Sequence, residues 1–216
     1  MKKIILFSII SIFSLAAMAQ SEKFVGAMKK NITLMDSAFT KPDNFLSLAN
    51  TFERIGTLEK TEWLPFYYAA YCRVNYAFMQ KNPSGNDPIA EVATVLLFKA
   101  DSLMPNNSEI SCLKSMIASV QLMVNPQQRY MQYGAASQKE LQKAMQQDPT
   151  NPRPYMLKGQ SLKYTPEQFG GGCKNAIKEL TIAQEKYLSF KPASEISPNW
   201  GKSYSDMMMK ECSISK

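Results

Sequence analysis

Histidine is absent from the 216 residues. That removes Ser–His and Cys–His nucleophile pairs and every histidine-ligated zinc site. No pair of carboxylates has a spacing that implies a shared cleft, so neither a metal site nor acid–base catalysis is expected. Basic residues outnumber acidic ones, 25 to 18, but the excess is scattered and forms no basic run interleaved with aromatics. Nucleic-acid binding is therefore not expected. Long apolar runs are missing too. The one candidate, Ile4 to Leu15, is about a dozen residues, too short to cross a bilayer comfortably.

That short run has a different meaning. Lys2 and Lys3 precede it, and Ala17-Met18-Ala19 follows as a small-x-small cleavage site. Residues 1–19 therefore read as a signal peptide, cut near Ala19/Gln20, with export to the periplasm or beyond. No cysteine follows the cut, which argues against a lipid anchor. Removing Lys2 and Lys3 from the 25 basic residues leaves 23 against 18 acidic, a net charge of +5. Residues 20–216 are enough for one domain with a real core.

Within that domain, small residues and prolines recur. Tyr155, Gly159 and Leu162, then Ala176 and Ala183, then Pro192 fit helix, turn, helix and stop. Ser137, Ala144 and Pro149 repeat the pattern at steps of seven and five, as do Ala93, Ala100 and Pro105. The closing prolines are 44 and 43 residues apart, against about 34 for a common helical-hairpin repeat. The surplus lies in widened turns and, in the last unit, a lengthened second helix. Short side chains at such offsets let two helices approach closely.

Around these positions stand EWLPFYYAAYC (62–72), SLMPNNSEI (102–110), MVNPQQR (123–129), NPRPYMLKGQSLKYTPEQFGGG (151–172) and NWG (199–201). With them the chain resembles tetratricopeptide-repeat proteins, and more narrowly an exported group from Bacteroidetes-like bacteria. The resemblance implies an all-α, TPR-like solenoid of antiparallel helix pairs, with about eight or nine helices, and an exported location. It transfers no site residues. Ser111 stands where the repeat wants an aromatic, so the helix around it is the least certain.

Residues 22–39 and 43–58 read as an amphipathic leading hairpin. Residues 61–80 are the most aromatic segment and are apolar nearly all round, which places that helix centrally. Its tyrosines fit a core with hydroxyls at the edge, or a groove in which Tyr67 and Tyr71 meet a ligand. Asp43 and Asp87 are expected helix caps.

The leading expectation for function is non-catalytic. Stacked first helices would present a concave surface to a protein or peptide, with Tyr67, Tyr71, Asn75, Arg129, Lys158 and Tyr164 as candidates. An alternative is a small-molecule carrier with an aromatic pocket around Trp63 and Tyr68, or an enzyme subunit using the glycine-rich turn. That turn, Gly170-Gly171-Gly172, precedes a helix, so Gly171, Gly172 and Lys174 are candidates for anion binding. Three glycines equally suit a tight turn, and the spacing is not that of a phosphate loop. No cofactor is expected. Four cysteines in an oxidising compartment permit disulfides, with Cys173–Cys212 favoured and Cys72 and Cys112 read as core.

Overall fold

The computed structural model describes residues 22–214, so the signal-peptide segment lies outside the described residues. Among the described residues all regular structure is helical, with no strand. The long helices are α1 (22–38), α2 (Asp43–Leu58), α3 (Leu64–Phe78), α4 (Asp87–Leu103), α5 (Ser108–Val124), α7 (Ala135–Gln147), α8 (Arg153–Tyr164), α9 (Cys173–Ser189) and α10 (Lys202–Ile214). A four-residue turn of helix, α6 (Pro126–Arg129), precedes α7.

Consecutive helices pack against one another, and α3, α5 and α8 also touch as an inner row. The small residues are what let them do so. Ala93, Ala100, Ser115, Ser137, Ala144, Ala176 and Ala183 are all buried. A Cβ on Gly159 would stand 2.7 Å from Leu180 Cγ, and one on Gly56 would stand 2.8 Å from the Phe66 ring. Across α5 and α7 the hydroxyls of Ser115 and Ser137 lie 2.8 Å apart, a buried polar pair that satisfies itself. The helix around Ser111 is regular, and Ser111 is buried.

Two local expectations change. Asp43 and Asp87 are first-turn residues rather than caps; Pro42 and Asn86 hold the cap positions without a side-chain cap bond. Asp87 is drawn to Arg129 instead. The long connection before α7 is helical rather than open. Asn125 accepts a hydrogen bond from the Gln128 amide, Pro126 starts α6, and a π-helical turn over Tyr130–Gly134 leads into α7. A helix can absorb extra residues by widening one turn.

Candidate functional site

The inner row converges on a buried ionic cluster. Arg153 opens α8 and is fully buried. Its Nη1 donates to Glu109 Oε1 of α5 at 2.8 Å, and its Nη2 to the Pro198 carbonyl at 2.6 Å. Asn151 also donates to Glu109, at 2.7 Å, and the Tyr67 hydroxyl donates to the other carboxylate oxygen at 3.3 Å. Burial pushes the Glu109 carboxyl above its usual range, against the opposing pull of Arg153. Burial alone would lower the Arg153 pKa; Glu109 and its neighbours more than reverse that.

Over this cluster runs residues 190–201, a strap without helix. Trp200 Nε1 donates to the Tyr67 hydroxyl at 2.8 Å, and the Tyr68 hydroxyl donates to the Ile196 carbonyl at 2.9 Å. The Arg153 guanidinium lies 4.6 Å from the Phe190 ring centre and 5.2 Å from that of Trp200. Gly201, at φ +100°, makes this possible: a Cβ there would run into the Tyr187 hydroxyl, which donates to the Trp200 carbonyl.

The strap covers the tyrosines of the groove reading. Tyr67 and Tyr71 are buried, with Trp200 5.1 Å from Tyr71, and Asn75 is 8% exposed with its amide on the Tyr71 carbonyl. Tyr68 is buried as well, so its ring is closed to solvent beside the half-buried Trp63. Burial pushes the phenols of Tyr67, Tyr68 and Tyr71 well up. Of the other candidates, Arg129 grips Asp87 through both terminal nitrogens at 2.7 and 2.8 Å, and holds that carboxyl below its usual range by hydrogen bonding. Lys158 pairs with Glu179 at 2.7 Å. Tyr164 alone of the six is broadly open, at 62%.

The glycine turn spends its amides within the chain. Gly170 N–H donates to Glu167, Gly171 N–H to Pro166, and Gly172 N–H to Leu162 and Thr165. Donors consumed by the chain's own carbonyls are not free for an anion. Gly170 and Gly172 have φ of +82° and +86°, and a Cβ on Gly171 would overlap the Thr165 carbonyl. Cys173, at the start of α9, is bonded to Cys212 of α10, while Cys72 and Cys112 are free and buried, their thiols pushed up by burial.

Of the sequence-predicted candidates, the exposed Tyr164 lies at the end of α8. The Lys163 ammonium sits 4.3 Å from the Tyr164 ring centre and pairs with Glu211 at 2.8 Å. From α10, the Tyr204 hydroxyl accepts a hydrogen bond from Gln160 Nε2 at 3.3 Å. Burial chiefly raises the Tyr204 pKa. Sequence reasoning selected Tyr164 but missed Lys163, Gln160 and Tyr204. The spacing of four between Gln160 and Tyr164 was a usable signal, whereas the approach of α10 was not. Among the described residues no cluster of three or more metal-ligating side chains occurs, and no helix is long and apolar enough to cross a membrane.

Neither a protein-family model nor a curated protein matches the chain. Among solved structures, the HusA haemophore from Porphyromonas gingivalis does: TM-score 0.80, 38% identity, 89% of this chain and 94% of that one. The chain belongs to the HusA family. The match to HusA spans almost the whole of both proteins. HusA also accounts for the all-helical architecture through common descent rather than shared shape alone.

Proposed function

We propose that this chain is an exported, non-catalytic binder of haem or a closely similar metalloporphyrin. The observation that carries the reading is the 38% identity to a haemophore over nearly the full length of both chains. Several properties support it. The positive balance of the exported part suits a ligand whose propionates are carboxylates. Exposed aromatic surface at Tyr164 and Phe169, 62% and 65% open, suits a flat macrocycle. Haem here is cargo, and the chain offers its iron neither imidazole nor an accessible thiolate, having no histidine, two buried free thiols and two bonded cysteines.

The chain would reach the periplasm or the exterior after cleavage near Ala19, and residues 20–216 would fold as one tetratricopeptide-like solenoid. Peptide docking on the concave face is the weaker reading, since the strap 190–201 already covers Tyr67 and Tyr68 there. Titration of ferric protoporphyrin IX into the purified protein tests the proposal. A saturable Soret change with quenching of tryptophan emission is expected. A response no larger than that of an unrelated helical protein of equal charge would overturn it.

A further inference from the structure

The strap over the inner row is held as a bound peptide would be. Three helices each supply a side chain that donates to one of its backbone carbonyls: Tyr68 of α3 to Ile196 at 2.9 Å, Arg153 of α8 to Pro198 at 2.6 Å, and Tyr187 of α9 to Trp200 at 3.1 Å. These carbonyls belong to every second residue. Ile196 and Pro198 are buried, Asn199 is exposed, and Trp200 is half-buried with its N–H on the Tyr67 hydroxyl. Main-chain bonds that give affinity, with alternate side chains that give selectivity, are how a groove reads an extended segment.

The strap is also an occupant that can leave. Its fit is incomplete: Nε of the fully buried Arg153 has no partner, so one donor of the guanidinium goes unused. Its outward tie to α1 is the exposed ion pair of Lys29 with Glu195 at 2.7 Å, a kind of contact worth little in water. The strap has no helix or strand, so lifting residues 193–200 leaves the backbone ladders of α3, α8 and α9 whole. Both ends stay anchored, the first by α9 and the second by α10, which the Cys173–Cys212 bond ties to α9. A lifted strap therefore remains close to its seat and competes strongly for it.

We infer that the inner row, through Tyr67, Tyr68, Arg153 and Tyr187, is a peptide-reading surface that the strap occupies in cis, and that a partner protein enters it by displacing the strap. The strap itself defines the chemistry of that partner: a flexible segment with an apolar residue, a proline and a tryptophan at alternate positions, as in Ile196, Pro198 and Trp200. Three of the four reading side chains meet backbone carbonyls, so the fit depends on the aromatic anchor more than on the residues between. The strap is then an autoinhibitory contact. This inference does not rest on the haem reading, and its test uses no porphyrin.

The probe is a synthetic peptide of residues 192–201 with blocked ends and a fluorophore, added to wild type, Trp200→Ala and Gly201→Ala and followed by fluorescence anisotropy. Gly201→Ala loosens the strap while keeping every side chain that holds it, so it serves if loss of the indole unfolds the first host. Far-UV dichroism matching wild type shows that a host is folded. Both variants are expected to bind the peptide saturably. Wild type should bind at least about tenfold more weakly, because its own strap competes at an effective concentration of about millimolar. The same peptide with its tryptophan replaced by alanine should lose about tenfold in affinity for either variant. No saturable binding to a folded variant, or equal binding of the alanine peptide, overturns the inference. Binding to wild type as tight as to the variants also overturns it, since the peptide would then sit elsewhere.

Discussion

The indole N–H of Trp200 donates to the hydroxyl of Tyr67 at 2.8 Å, joining residues 133 positions apart. Tyr67 passes its own proton towards Glu109, which Arg153 neutralises, and Arg153 holds the strap by the Pro198 carbonyl. An irregular strap is thus part of the core. Buried polar groups of this kind persist where most of their atoms find a partner; in this cluster Arg153 Nε is the buried atom without one.

Trp200 depends on its neighbour. Gly201 sits at φ +100°, where an L side chain is strained, and its Cβ would meet the Tyr187 hydroxyl. Gly201→Ala should therefore lift the indole from its seat. A loss of about 1–3 kcal/mol is expected, from backbone strain and overpacking. Denaturant melts measure it, and a red shift of tryptophan emission marks the displaced ring. Unchanged emission would show that Trp200 does not depend on this glycine.

Arg153 is fully buried, and its partner Glu109 is 14% exposed. Truncating one member of such a pair strands the other charge, at a cost of about 3–5 kcal/mol. Arg153→Ala is accordingly expected to be the most destabilising single change in the inner row. Combining Arg153→Met with Glu109→Leu should recover part of that loss, because no charge is then left buried. Equilibrium unfolding of the single and double variants gives the coupling directly. If the double variant is no better than Arg153→Ala, the cost lies in the lost Pro198 contact and not in a stranded carboxylate.

The helical hairpins could be read from the sequence because helix contact demands short side chains at fixed offsets. Gly159, Ala176 and Ala183 are where α8 and α9 meet for that reason. The strap could not be read. It has no periodicity, and its partners are backbone carbonyls, which every residue possesses. Arg153 looks in sequence like an ordinary polar residue in a first turn; only its 44-residue reach to Glu109 gives it a role. Tyr67 and Tyr71 show the same limit. An aromatic stripe fixes which face of α3 is inward, and leaves unsaid whether solvent or another segment covers it. At the candidate site Tyr164 was visible as an amphipathic residue on a first helix, but Tyr204 arrives from a helix 40 residues further along.

Five of the ten tyrosines, at 67, 68, 71, 187 and 204, have pKa values raised chiefly by burial. The sign of the linkage is fixed by that direction. A phenol whose folded pKa exceeds its unfolded value contributes stability that is complete below the unfolded value, about 10, and is lost as pH rises towards the folded one. Thermal stability should hold up to about pH 10 and then fall steeply. In a spectrophotometric titration near 295 nm, these phenols should ionise only together with the loss of far-UV dichroism. Full ionisation of all ten with the helices intact would contradict the burial described here.

Gly159 tests the close approach of α8 to α9. An alanine there favours a helix by about 1 kcal/mol in propensity. Its Cβ would, however, lie 2.7 Å from Leu180 Cγ, the branched centre of a buried side chain rather than a flexible tip. Overpacking costs about 1–3 kcal/mol, so Gly159→Ala should be net destabilising despite its propensity. Leu180→Ala alone should cost about 2–5 kcal/mol. In the double variant the new methyl group fills part of the space vacated, so the two losses should sum to more than the measured effect. Additive losses would show that the helices do not touch at this point.

The Cys173–Cys212 bond closes a loop with a sequence separation of 39. In the chain-entropy account, a loop of that size destabilises the unfolded state by about 4 kcal/mol. Reduction, or the paired change Cys173→Ser with Cys212→Ser, should lower the unfolding free energy by an amount approaching that figure. The effect should concentrate at one end of the molecule. Since α10 packs on α9 and carries Tyr204 beside Tyr164, its amides should lose hydrogen-exchange protection before those of α3 and α5. Thiol counting on unfolded, unreduced protein provides the chemical check, with Cys72 and Cys112 alone reacting. Four reactive thiols would remove the bridge, and with it the reason for α10 to stay fixed against its neighbours.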